Sequence, residues 1–237
     1  MIMFLSKKQI HSLNNTSVSE SIKKLVYLFP EQVYFSTSLG QEDQVITDII
    51  CRNNFPVKLF TLDTGRLFNE TYKLIEKTES KYKIKIQVYY PDTKKIEEYV
   101  DKNGINGFFK SIELRKNCCF IRKVEPLQRA LKGAKIWITG LRAGQSSERV
   151  NLSIFEWHSN YEVYKYNPLL NWSYDELLST INKNNIPYNV LHDNNYISVG
   201  CAPCTRPIQD GEDIRSGRWW WEDSHKECGL HIHNQNK

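Results

Sequence analysis

Three times between residues 32 and 102, a short run of branched and aromatic residues passes through a polar turn into an amphipathic helix. The first unit is Gln32-Val33-Tyr34-Phe35-Ser36, the turn Thr37-Ser38-Leu39-Gly40, and a helix with Glu42 and Asp43 in its first turn. Val45, Ile46, Ile49 and Ile50 follow at helical spacing. The second unit is the strand Val57 to Leu62, the turn Asp63-Thr64-Gly65 and a helix from Asn69 to Tyr82. The third is a strand from Ile84 to Tyr90 and a helix from Lys94 to Lys102, closed by Asn103-Gly104. A fourth strand, Lys135 to Thr139, runs into the polar loop Arg142 to Arg149. Strands that alternate with helices predict an α/β fold with a parallel sheet covered on both faces. Ligands in such sheets sit beyond the carboxyl ends of the strands. Three loops fall there: Ser36 to Gly40, Leu62 to Gly65 and Gly140 to Arg149.

Around this frame, Lys8 to Phe29 reads as helical, as do Pro126 to Leu131, stopped by Gly133, and Tyr174 to Asn182. After Cys204 the chain turns polar, apart from Trp219-Trp220-Trp221. The expected organisation is therefore an α/β domain over residues 1–204 and an appended, mobile tail over 205–237. At 237 residues, 40% apolar and 25% charged, the chain can bury a sizeable core. A net charge of +5, spread along the chain, does not argue for nucleic acid but suits a small polyanion. No run approaches the ~18 apolar residues of a membrane span, and the first eight residues lack a signal-peptide pattern. The expectation is a cytoplasmic protein, in which six cysteines point to metal binding or catalysis more than to cross-links.

Four of those cysteines form two pairs, Cys118-Cys119 and Cys201-Ala202-Pro203-Cys204. Adjacent cysteines do not form an ordinary disulfide with each other, because disulfide geometry is narrow. Four thiolates are what a structural zinc site or a [4Fe–4S] cluster requires, and spacing hardly separates the two. With Asn117 as a helix cap, Cys118 and Cys119 fall in a first turn, where free N–H groups favour thiolates. Cys51 follows Ile49-Ile50 on a helix and reads as a small core residue. Cys228 differs: it stands in a polar stretch beside His225, Lys226 and His231, and cationic neighbours lower a thiol pKa.

Ser36-Thr37-Ser38-Leu39-Gly40-Gln41-Glu42-Asp43 places hydroxyls and backbone N–H groups at a strand-to-helix turn, a setting for phosphate or sulfate. The same residues also read as ordinary capping by Ser38, with Glu42 and Asp43 complementing the helix dipole. Arg122, Lys123, Arg142, Arg149, Arg206, Arg215 and Arg218 lie near the cysteines or the strand-end loops. Arginine forks match phosphate and sulfate oxygens.

Taken together, these segments resemble the cluster-containing assimilatory adenylyl-sulfate (APS) reductases, of the family that includes the PAPS reductases. The resemblance spans nearly everything from Phe35 to His231. It is carried by the 36–43 turn, Thr61-Leu62-Asp63-Thr64-Gly65-Arg66-Leu67-Phe68 and Cys118-Cys119-Phe120-Ile121-Arg122-Lys123. Further segments are Trp137 to Arg142, Asn167 to Leu170, Cys201 to Cys204, Gly217 to Trp221 and Glu227-Cys228-Gly229-Leu230-His231. It implies a Rossmann-like fold of the adenine-nucleotide α-hydrolase type with a modified pyrophosphatase loop. It implies a [4Fe–4S] cluster on Cys118, Cys119, Cys201 and Cys204, and Cys228 as nucleophile on the mobile tail. Lys123, Arg149, Arg215 and Arg218 would line the phosphosulfate site. Ser36, Ser38, Gly40, Asp43, Leu62, Thr64, Gly140 and His231 would complete substrate binding. Leu39, where many relatives have Phe, and Ala143-Gly144, where a second Arg is common, depart from the pattern.

The cysteine count adds an expectation. With four thiols on a cluster and Cys51 buried, Cys228 has no resolving partner in the chain, so an external dithiol is needed. Thioredoxin or glutaredoxin is the expected donor, and a homo-oligomer is compatible with the reading. The expected reaction is APS to sulfite and AMP through an S-sulfocysteine. PAPS as substrate and a zinc-stabilised nucleotide-binding module are the alternatives.

Overall fold

The structure, a computed structural model, describes residues 5–146, 149 and 152–222. Its sheet has six strands: β1 (Val33–Ser36), β2 (Lys58–Leu62), β3 (Gln87–Tyr89), β4 (Ile136–Ile138), β5 (Phe155–His158) and β6 (Val163–Tyr166). Their order is β3-β2-β1-β4-β6-β5. All neighbours pair in parallel except β5, which runs antiparallel along the edge beside β6. Strand order proceeds outward from β1 in one direction and from β4 in the other. The connections therefore diverge between these two central strands, and a crevice opens at their carboxyl ends.

Helices α1 (Lys7–Asn14) and α2 (Val18–Leu28) precede the sheet. α3 (Gln41–Arg52) links β1 to β2, and α4 (Asn69–Tyr82) links β2 to β3. α5 (Thr93–Asn103), α6 (Ile112–Cys119) and α7 (Glu125–Ala130) lie between β3 and β4, and α8 (Tyr174–Lys183) follows β6. Alternation along each strand divides the core into two layers. Val33, Phe35, Ile136 and Ile138 pack with Ile22, Leu25, Ile46, Ile50, Leu177 and Ile181 of α2, α3 and α8. Trp137 and Phe60 face the other way, onto Leu127, Ala130 and Leu131 at α7. Burying each such aliphatic side chain stabilises by roughly 1.5–3 kcal/mol, more than helix propensity supplies over a turn.

The four strands expected between residues 33 and 139 all form, as do their crossover helices. Two local expectations change. The helix expected from Lys8 to Phe29 is two helices, because Ser17 caps α2 by accepting a hydrogen bond from the Glu20 N–H at 3.3 Å. The β5–β6 hairpin was not anticipated. Each of its strands has four residues, and β6 carries Lys165, which is fully buried. Glu156 stands opposite it in register, with Nζ–Oε1 at 2.8 Å. A charge neutralised only by tertiary pairing hides a central strand from hydropathy.

Residues 205–222 pack against the body. Thr205 and Arg218 form an antiparallel bridge, and the Trp219 N–H donates to the Cys204 carbonyl at 3.1 Å. Trp219 is among the largest fully buried side chains. Among the described residues, no helix is long and apolar enough to cross a membrane.

Candidate active site

The turn after β1 is built around Asp43. The Ser38 N–H and hydroxyl both donate to Asp43 Oδ2, at 2.6 and 2.7 Å. Leu39, buried against Leu74 and Ile86, takes a left-handed φ of 61° and donates its N–H to Thr37 Oγ1 at 3.0 Å. Gly40 is the N-cap of α3 and offers no side chain, so the positive end of the helix dipole is open toward a ligand. Burial outweighs the Ser38 hydrogen bonds and pushes the Asp43 carboxyl up to about 6. The capping role read for Ser38 thus becomes a brace on Asp43. Gly140, just beyond β4, presses against the same carboxylate: a Cβ there would lie 2.0 Å from Asp43 Oδ1.

These two loops floor a cleft of about 220 Å³. Ser36, Ser38, Gly40, Asp43, Leu62, Lys123, Gly140, Arg149, Arg215 and Arg218 all line it. Leu67, Leu127, Ile197 and Val199 supply an apolar wall, with His192 beside them. Burial lowers the pKa of His192 below its ordinary value, which keeps the imidazole neutral near pH 7. Arg142 is committed elsewhere, with Nε 3.1 Å from Glu42 Oε1 and its guanidinium 5.4 Å from the Tyr174 ring centre. Arg149 donates to Gln145 Oε1. Arg218 is 7% exposed, and no described acid pairs with it. Its guanidinium lies 4.7 Å from the Trp219 ring centre, Nη1 donates to the Val199 carbonyl at a long 3.4 Å, and Nε has no partner. A buried cation so weakly paired is set to receive an anion.

Thr64 does not line this cleft. It is fully buried, with Oγ1 3.2 Å from Cys201 Sγ. Cys201 in turn lines a second, smaller cavity together with Cys118, Cys119, Cys204, Arg66, Arg115, Arg122 and Lys123. The cysteine pair sits at the last positions of α6, where the helix passes into a π-turn, and not at a helix start. Ser111, not Asn117, caps α6 by accepting from the Leu114 N–H at 3.2 Å, and α6 ends at Cys119. A π-turn over Phe120–Val124 carries the helix on into α7, where Pro126 takes a first-turn position. Within a continuing helix the two cysteines meet no free N–H groups, so the nearby cations are what favours thiolates there. Without a ligand, burial raises the Cys118 thiol and pushes Cys204 up to about 12.

Cys118, Cys119, Cys201 and Cys204 supply the donor set that a four-thiolate cluster would need. Two sequence-distant pairs share one cavity, four cations surround it, and the buried Trp219 indole N–H beside it has no partner of its own. Among the described residues, no group of three or more His, Cys, Asp or Glu is arranged to hold a metal ion. The fit therefore rests on the shared cavity and its charge. Cys51 is half-buried on α3, its thiol pushed up to about 11 by burial. Cys228 and His231 lie outside the described residues. Sequence reasoning missed Arg115, Glu222 and His192. Only Arg115 carried a signal, four residues before Cys119 and thus on the same helix face.

Comparison with known proteins follows the same outline. Residues 32–207 match the family model for the phosphoadenosine phosphosulfate reductase domain. Over 202 residues the chain is 50% identical to the adenosine 5'-phosphosulfate reductase of Allochromatium vinosum, covering 85% of this chain and 79% of that one. The enzyme of the same name from Neisseria meningitidis serogroup A is 46% identical, with 83% and 82% covered. Among solved structures, the phosphoadenylyl-sulfate reductase of Candida auris, in a phosphate complex, superposes with a TM-score of 0.73 at 32% identity. That match covers 87% of this chain and 100% of the other. An FMN adenylyltransferase of Candida glabrata shares the fold alone, at TM-score 0.56 and 17% identity over 98% of this chain and 81% of its own. With its matched residues taking in all three strand-end loops and the two cysteine pairs, this chain belongs to the phosphoadenosine phosphosulfate reductase family.

Proposed function

We propose that this chain reduces adenosine 5'-phosphosulfate to sulfite and AMP with electrons from an external dithiol protein, thioredoxin or glutaredoxin, in sulfate assimilation. One observation carries the reading: Lys123 lines both the cationic cleft and the four-cysteine cavity, so the anion site and the thiol cavity adjoin. The relatives named adenosine 5'-phosphosulfate reductase support the choice of substrate.

The nucleotide lies in the crevice between β1 and β4, its base against the apolar wall and its phosphosulfate against Lys123, Arg149, Arg215 and Arg218. The uncapped N-terminus of α3 adds N–H groups to that anion site. Cys118, Cys119, Cys201 and Cys204 would hold a [4Fe–4S] cluster, which supplies a fixed charge next to the anion site when bound. The Cys228 thiolate attacks the sulfur of the substrate. A sulfur–sulfur bond forms, the bond from sulfur to the bridging phosphate oxygen breaks, and AMP leaves with the electron pair. A donor thiolate then attacks Cys228 Sγ and expels sulfite. The donor's second thiolate resolves the mixed disulfide, returning Cys228 as a thiolate and leaving the donor oxidised by two electrons.

Sulfite release with APS or PAPS, in the presence of reduced thioredoxin, is the deciding assay. Release from APS alone is expected. Preference for PAPS would favour the second reading, which the Candida auris relative supports. Iron and acid-labile sulfide in the purified protein are expected in place of zinc. In single turnover without reductant, Cys228→Ser should form no covalent adduct. AMP release from that variant at the parental rate would overturn the assignment of the nucleophile.

A further inference from the structure

We infer that Arg115 is a positioning residue, tying the cysteine helix to the segment from which Cys228 extends. The inference rests on the proposed reduction through Cys228. Arg115 is 1% exposed, and its guanidinium serves three groups at once. On its own helix it lies one turn before Cys119, whose sulfur it faces. It lies 4.7 Å from the centre of the Trp219 ring, and the Arg218 guanidinium is also 4.7 Å from that centre. Its edge forks onto Glu222, with Nε–Oε1 at 3.0 Å and Nη2–Oε2 at 2.7 Å.

The segment it holds is pinned at other points too. The Arg206 N–H donates to the Gly217 carbonyl at 2.9 Å, the Trp219 N–H to Cys204, and the Glu222 N–H back to the Trp219 carbonyl at 2.8 Å. Trp219 carries this turn at a φ of 41°, a conformation a bulky residue adopts only when its surroundings impose it. Glu222 is the last described residue, and Cys228 is the sixth residue after it. Six residues reach at most about 20 Å, so the point where Glu222 is fixed bounds where the thiol can go. Arg115 sets that point relative to the cysteine cavity and to Arg218 in the cleft.

Replacing Arg115 alone would strand a buried carboxylate. The test therefore uses Glu222→Gln and the double variant R115M/E222M, both as iron-loaded protein. Iron and labile sulfide per chain, calorimetric affinity for AMP, and the single-turnover rate of adduct formation with APS are compared with the parent. For Glu222→Gln, which leaves Arg115 beside the cysteines, iron content and AMP affinity within about twofold of the parent, with adduct formation slowed at least tenfold, is the expected result. R115K should recover part of that rate. An unchanged rate per loaded chain, or a loss that only follows the loss of iron, would overturn the inference. If the parent itself forms no adduct, the proposed reaction fails and takes the inference with it.

Discussion

Gly140 packs directly against the carboxylate of Asp43, with no room for a side chain between them: a methyl group on the glycine would collide with Oδ1 of the aspartate. Gly140 ends the β4 side of the crevice and Asp43 braces the β1 side, so the contact sets how closely the two loops approach. Asp43 cannot yield freely, because Ser38 holds its other oxygen twice. Gly140→Ala should therefore cost about 1–3 kcal/mol of stability through overpacking and weaken AMP binding at least tenfold. Urea unfolding and calorimetric titration with AMP measure the two effects.

Asp43 also imposes a pH dependence. Its folded pKa of about 6 lies above its usual 3.8, so the native state binds the proton more tightly than the unfolded chain. The stability it contributes is full below the unfolded pKa and is lost as pH rises through the folded one. The difference amounts to about 3 kcal/mol, of which about 2 kcal/mol falls between pH 4.5 and 7. Asp43→Asn, which keeps an acceptor for Ser38, should flatten this part of the profile. Unfolding midpoints of parent and variant across that window provide the check, and parallel curves would contradict it.

Lys123 stands where the two cavities meet. Removing one positive group from a site of developing negative charge typically lowers turnover by about 10²-fold. Lys123→Ala should show a loss of that order in sulfite release while retaining iron. Loss of iron along with activity would make Lys123 part of the cysteine cavity's support instead.

For the Arg115–Glu222 pair, Arg115→Ala should destabilise by about 3–5 kcal/mol, because Glu222 is left buried and unpaired. The double replacement R115M/E222M should be close to neutral, since similar apolar volume takes the place of both charges. A double-mutant cycle on thermal unfolding measures the coupling. Additive losses would mean that the two residues act independently.

How far the chain could be read in advance depended on whether each signal was local. Ile46 and Ile50, at helical spacing behind Glu42 and Asp43, announced α3, and the tertiary structure only gave them a partner layer. β6 was hidden because its central Lys165 is buried by pairing with Glu156, a residue from a different strand. Asn117 precedes the cysteines as a cap would, yet Ser111, six positions earlier, does the capping. Thr64 stands beside Cys201, a neighbour that nothing near it in sequence announces.

The sequence by itself determined the α/β class, the three strand-end loops and the division of the cysteines into two pairs and two single residues. These follow from periodicity, turn chemistry and residue type, all written within a few neighbouring positions. Only the tertiary structure decided that Lys123 borders both cavities, that Gly140 rests on Asp43, and that Arg115 pairs with Glu222 while lying over the Trp219 ring. Each of those joins residues from separate elements, and such contacts depend on how the crossovers stack around the sheet, which no short window of sequence records.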